Sequence, residues 1–258
     1  MNIVRDPTVY LVGVQTINEA QVDRFLADHH VSHWTTDTEV AGEKLCEIAG
    51  RVCYMSFAKP RPGGNSAYIR HIMEVGHGSV IEHAVFNLII TGVSRSFTHE
   101  LVRHRAGFGY SQLSQRYVDE STADYVEPDC IADDPGLHET WLRAVETCHE
   151  AYCQLVDGLM GRFTDVTDKT LRRKLARQAA RSILPNATET KIFVTANARA
   201  LRHFIELRCN EHAEVEIRKV AAEVLRVVRN AAPNLFADYV LEPLPDGTMA
   251  ARTPHVKV

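Results

Sequence analysis

The sequence predicts an α+β fold in a single domain spanning residues 1–258. Strand-like apolar runs are few, and unequal stretches of helical periodicity separate them, which is not the regular alternation of a parallel α/β protein. Composition agrees. With 45% hydrophobic and 24% charged residues over 258 positions, the chain can build a core without disulfide or metal staples.

The first element is a strand over Val9–Val14 (V-Y-L-V-G-V), which is β-branched and aromatic. A weak amphipathic helix follows over Gln21–His30. Apolar positions Leu45, Ile48, Ala49, Val52 and Cys53 recur at three and four, so Val40–Met55 is a helix. P-R-P-G-G at 60–64 breaks the chain. Asn65 or Ser66 then caps a helix whose buried stripe is Tyr68, Ile69, Ile72 and Val75. A polar connection, G-H-G-S-V-I-E-H at 76–83, leads into a central strand over Ala84–Thr91. Ser94–Arg105 is a short helix, followed by a glycine-containing loop that ends in Ser-Gln-Arg-Tyr. Acids and prolines make Asp119–Pro135 a surface loop. A long helix covers Gly136–Phe163 and an arginine-rich one Lys169–Leu184. Thr190–Thr195 is a strand, Arg199–Cys209 and Val215–Ala231 are helices, and a polar tail carries Pro233, Pro243 and Pro254.

Charge and thiols narrow the classes of function. A net charge of −4 and a pI near 6.3 argue against nucleic acid as a partner, because such binders are basic overall. The six cysteines are scattered without a C-x-x-C pair, the pattern of reduced thiols in a cytoplasmic protein. No apolar run approaches about 18 residues, so no membrane span is expected, and the polar M-N-I-V-R-D start is unlike a signal peptide.

Positive charge is instead focused in Arg95–Tyr117, which holds four arginines and two histidines against one carboxylate, Glu100, before its final tyrosine. Guanidinium forks match phosphate oxygens two at a time, so this is anion-binding chemistry. A metal site is not expected, because His99 and His104 are five apart and point about 140° apart around a helix. His77/His83 and Glu211-His212 also lack ligand spacing. No G-x-S-x-G elbow exists, and Cys46, Cys53, Cys148 and Cys153 fall on apolar faces. Cys209 beside Arg208 is the one weak candidate nucleophile. Neither phosphate-loop fingerprint is present. What remains is arginine: Arg95, Arg103, Arg105, Arg116, Arg177, Arg181, Arg199, Arg202 and Arg208, on segments able to converge. Such a site binds and orients, and the redox or carbon chemistry belongs to a cofactor.

R-H-R at 103–105 followed by S-Q-L-S-Q-R-Y resembles the signature of the flavin-dependent thymidylate synthases, the ThyX family. W-T-T-D at 34–37, A-G-R-V-C-Y at 49–54, V-G-H-G-S-V-I-E-H at 75–83, R-Q-A-A-R-S-I-L-P-N-A-T-E-T at 177–190 and R-H-F-I-E-L-R at 202–208 are similar to that family's blocks, in its order. The resemblance implies a few-stranded, largely antiparallel sheet flanked by long helices, in a homotetramer with shared active sites. It also implies FAD-dependent C5-methylation of dUMP to dTMP. Methylenetetrahydrofolate would be the carbon donor, reduced flavin the hydride source and NADPH the reductant. By position, Ser79, Arg103, His104, Arg105, Asn197, Arg199 and His203, with Gln112, would hold FAD. Arg95, Glu100, Arg103, Gln112, Leu113, Ser114, Gln115, Arg116 and Arg181 would hold the nucleotide. Arg208 would face the uracil and favour its ionisation, Ser114 would position the substrate, and His77 matches a histidine tied to turnover.

One feature departs from the pattern. Eight residues, A-G-F-G-Y-S-Q-L, separate Arg105 from Ser114, where the family spacing is seven. Two readings stand: a neutral length variant absorbed at the surface, or a roomier, more mobile loop with Gly107 and Gly109 that would admit a ribose hydroxyl and make UMP a substrate beside or instead of dUMP. Two rivals stand apart from this enzyme: a flavin- and nucleotide-binding protein without turnover, and an arginine-rich RNA-binding surface.

Overall fold

The computed structural model describes residues 1–59 and 61–258; of the break expected over 60–64 only Pro60 lies outside the described residues, and the chain is non-helical from Arg61 until a helix begins at Gly64. Two compact units are present, each assembled from discontinuous segments. The first comprises Met1–Thr8, Ile90–Arg103 and Ser111–Ile192, and the second Val9–Ile89, His104–Tyr110 and Phe193–Val258.

In chain order the elements are β1 (Ile3–Val4), β2 (Thr8–Val14), α1 (Glu19–Asp28), α2 (Ala41–Tyr54), α3 (Gly64–Glu74), β3 (Val85–Ser94), α4 (Arg95–Leu101), β4 (Phe108–Gln112) and β5 (Tyr125–Val126). Then come α5 (Asp129–Ala132), α6 (Pro135–Arg162), α7 (Lys169–Ala180), β6 (Glu189–Asn197), α8 (Ala198–Arg208), α9 (Val215–Ala231), α10 (Pro233–Phe236), β7 (Val240–Pro243) and β8 (Met249–Arg252). Four strands form a sheet in the order β2-β3-β6-β4, β1 pairs in parallel with β5, and β7 pairs antiparallel with β8. The mixed α+β class is as expected.

In the first unit, Tyr125 and Val145 pack with Trp141 and Ile3. The two long helices there start as their sequences dictate. Asp134 accepts from the Gly136 and Leu137 amides ahead of Pro135 in α6, and Asp168 accepts from Thr170 and Leu171 in α7. In the second unit, Ile217, Val220, Ala221, Val224, Leu225 and Val228 form the buried stripe of α9 at helical spacing. Arg202 of α8 is 2% exposed and makes a bidentate pair with Asp238 at 2.7 Å through both terminal nitrogens. It is therefore a structural strut and does not belong with the arginines expected to converge on a ligand.

Several local expectations change. Helix α3 is capped neither by Asn65 nor by Ser66: the Asp37 carboxylate, 28 residues upstream, accepts from the Asn65 amide at 2.8 Å. Asn65 is buried and donates to Glu47 at 2.8 Å. Met73 replaces Val75 in the buried stripe, Val75 being 45% exposed. The helix expected to reach Arg105 stops at Leu101. Asp119–Pro135 is not a surface loop, because Glu120, Tyr125, Val126 and Glu127 in it are buried. The tail is not polar coil either: it folds into α10 and the β7–β8 hairpin, burying Leu235, Phe236 and Ala250. Cys53 is exposed, contrary to the expectation of a buried thiol.

Candidate functional site

Candidate residues fall into two groups, one in each unit. In the first unit, Ser94 accepts from the Phe97 amide at 3.0 Å and starts α4 so that Arg95 leads the helix. The Arg95 guanidinium donates to the Leu113 carbonyl at 3.2 Å. A cavity lined by Arg95, His99, Gln115, Gln178, Arg181 and Asn186 lies here. Burial makes the charged form of Arg95 costlier; Glu120 offsets this and the neighbouring Arg181 adds to it. Two guanidiniums facing one polar cavity favour an anion that relieves their repulsion. Arg116 flanks this region, donating to Gln178 at 3.0 Å, while its amide donates to the Ser114 hydroxyl at 3.4 Å. Gln112 donates to the hydroxyls of Thr98 at 3.0 Å and Thr190 at 3.4 Å. Glu100 is half-buried and Arg103 exposed.

In the second unit, His104 is the central group. It is 8% exposed, meets Phe204 edge-on at 5.2 Å and lies 5.9 Å from Phe108. Burial, then Arg208, then His203 push its imidazole down to about 4, so it is neutral at neutral pH. Nε2 accepts from Arg208 Nε at 3.1 Å, which orients the guanidinium that the resemblance sets against uracil. Asn197 caps α8 through its side chain, which accepts from the Ala200 amide at 2.8 Å. Its own amide donates to the Gly107 carbonyl at 3.2 Å. A cavity of about 420 Å³ is lined by Ala106, Gly107, Asn197, Arg199, His203 and Val258. Arg199 pairs with Glu82 at 2.6 Å and is 44% exposed. Arg105, His77 and Ser79 are exposed, and the last two line a further cavity of about 410 Å³ with Tyr54 and Tyr68.

The expected flavin-binding residues thus gather mainly in the second unit, with Arg103 and Gln112 in the first. The expected nucleotide-binding residues gather in the first, with Arg208 in the second. The residues fit a flavin nucleotide in kind. The walls of the cavity bear the cationic Arg199 and the polar Asn197 and His203, and the missing Cβ of Gly78 lets Arg199 approach, since a Cβ there would stand 2.8 Å from Arg199 Nε. Cys209 is no nucleophile: it is fully buried, and burial pushes its thiol up to about 11.

Sequence reasoning missed Gln178, Asn186, Ala106 and Gly78. Nothing in a polar glutamine on a basic helix marks it, but Gly78 beside His77 carried a signal, as a small residue flanked by polar ones.

A family model described as "Thymidylate synthase complementing protein" matches residues 36–234. Over 223 residues the chain is 52% identical to the flavin-dependent thymidylate synthase of Mycolicibacterium vanbaalenii, covering 86% of this chain and 88% of that protein. The flavin-dependent thymidylate synthase of Mycobacterium tuberculosis is 51% identical over 232 residues, covering 89% of this chain and 92% of its own. Among solved structures, the UMP/dUMP methylase PolB of Streptomyces cacaoi bound with 5-Br dUMP superposes with a TM-score of 0.65 at 22% identity, covering 92% of this chain and 96% of that one. At that identity the likeness is one of fold. The matched span and the identity to full-length relatives establish that the chain belongs to the thymidylate synthase complementing protein family, that of the flavin-dependent thymidylate synthases.

Proposed function

We propose that this protein converts dUMP to dTMP by FAD-dependent C5-methylation, with methylenetetrahydrofolate as carbon donor and NADPH as reductant. The observation that carries the reading is the Arg208 guanidinium held by the neutral, buried His104. An arginine so fixed gives a permanent positive charge to set against a uracil whose ring must gain electron density at C5. When bound, the flavin supplies the hydride that completes the methyl group and recovers its electrons from NADPH.

The chain's own residues bind and orient. Arg95 and Arg181, which share a cavity with Gln115, take the nucleotide phosphate, and Glu100, Arg103, Leu113 and Arg116 complete the nucleotide site. Ser114 and Gln112 fix the nucleotide, with Gln112 reaching the flavin as well. Asn197, Arg199 and His203, which line one cavity, hold the flavin, with Ser79, Arg103, His104 and Arg105 as further ligands by resemblance. His77, exposed and lining a cavity with Ser79, is the residue assigned to turnover by the resemblance. The whole chain acts as one catalytic domain in a cytoplasmic homotetramer. Alternate exposed residues Tyr10, Val12 and Val14 of β2 leave an apolar strand face that supports self-association.

UMP is the second reading of the nucleotide, motivated by the eight-residue spacing. Steady-state kinetics on the flavin-loaded protein test both. Turnover of dUMP supports the proposal, and rejection of UMP by about a thousandfold or more removes the second reading. A protein that binds FAD and dUMP but makes no dTMP is the non-catalytic rival.

A further inference from the structure

The longer segment after R-H-R is not a mobile loop, and the structure locates its slack. Residues 108–112 are strand β4, whose side chains alternate between half-buried and exposed. Phe108 stacks on Tyr110 at 5.6 Å and meets Phe204 at 6.3 Å, and the Tyr110 hydroxyl donates to the His104 carbonyl at 2.6 Å. Further along, Gln112 holds Thr98 and Thr190, and the Leu113 amide donates to the Lys191 carbonyl at 2.9 Å. Removing a residue anywhere in this strand would turn each later side chain to the opposite face. No slack exists there.

The only part of the segment free of that constraint is the turn Arg105–Phe108, closed by the Phe108 amide on the Arg105 carbonyl at 3.2 Å. Gly107, its third residue, has φ +75°, the conformation a type II turn reserves for glycine. The Gly107 carbonyl is tied to the amide of Asn197, and a Cβ at Gly107 would stand 2.8 Å from Ala200 Cβ and from Asn197 Nδ2. Ala106 and Gly107 form part of the wall of the cavity that also holds Asn197, Arg199 and His203.

We propose that Ala106 and Gly107 are determinants of the flavin pocket. The proposal rests on the assignment of that cavity to flavin. Changing the turn moves the wall relative to Arg199 and His203, while the register of β4 holds Gln112 in place.

FAD titration of the apoprotein, followed by flavin fluorescence, tests this in three forms: wild type, Gly107→Ala and Ala106→Trp. Gly107→Ala strains the turn, and Ala106→Trp fills the cavity without altering the backbone. Both are expected to weaken FAD binding by about tenfold or more. The ratio of kcat/KM for dUMP to that for UMP stays unchanged at saturating FAD. Adding Ala200→Gly to Gly107→Ala removes the contact with Ala200, though not the one with Asn197, and regains part of the affinity. If Ala106→Trp, melting like wild type, binds FAD with wild-type affinity, the proposal is overturned. A shift of nucleotide selectivity with unaltered FAD affinity overturns it too. A wild type that binds no FAD instead refutes the assignment of the cavity, and the proposal with it.

Discussion

His104 and Glu120 show how burial gives single residues their character. His104 is kept neutral by its apolar and cationic surroundings, so it accepts from Arg208 where an imidazolium would repel it. His104→Phe is expected to lower kcat by about tenfold or more while dUMP still binds, because the guanidinium loses its orientation; kcat within twofold of wild type in a flavin-loaded variant would contradict this role. Glu120 is 4% exposed, its Oε1 has no hydrogen-bond partner among the described residues, and burial pushes its carboxyl from 4.5 up to about 7. Arg95 and Lys191 oppose that rise, and Glu189 and Asp119 add to it. The folded pKa lies above the unfolded one, so the stabilisation is full below pH 4.5 and is lost as pH rises through about 7. Glu120→Gln should therefore raise the melting temperature relative to wild type at pH 8, by up to about 3 kcal/mol of stability, and give no such gain at pH 5. Equal shifts at both values would contradict the titration. R-H-R and the family blocks were legible in sequence because they are contiguous. The burial of Glu120 was not, since an acid among prolines and aspartates has the local signature of solvent-exposed chain.

At the scale of elements, helices that carry their own stripe and cap were legible, and those depending on distant partners were not. Helix α9 has the bounds its periodicity predicts, Val215–Ala231. Helix α3 has a buried cap from Asp37, which no window around Asn65 contains. Asp37→Ala should cost about 1 kcal/mol in denaturant unfolding, and an unchanged midpoint would show that the cap is idle. Strand β4 escaped notice for a related reason: Gly109 within it and Gly107 just before it have the local signature of a loop, and its alternation gains meaning only from the residues that Phe108, Tyr110 and Gln112 touch. The tail hairpin β7–β8 likewise depends on pairing that its prolines obscure.

For the whole molecule, charge is apportioned so that an acidic chain of net −4 still presents cavities lined by arginine. That arrangement suits small anionic substrates and not a long polyanion. No helix among the described residues is long and apolar enough to cross a membrane. If the proposed homotetramer forms through the exposed Tyr10, Val12 and Val14, Val12→Asp should shift sedimentation toward smaller species. Identical sedimentation would remove that face from the assembly. The family was legible over most of the chain, whereas the division of candidate residues between two units was not, because each unit is stitched from three separated segments. Flavin-dependent methylation is read most clearly in the folate product. With dUMP, methylenetetrahydrofolate, FAD and NADPH, dTMP and tetrahydrofolate are expected in equal amounts, and neither is expected without flavin. Dihydrofolate as the product, or dTMP formed without flavin, would contradict it.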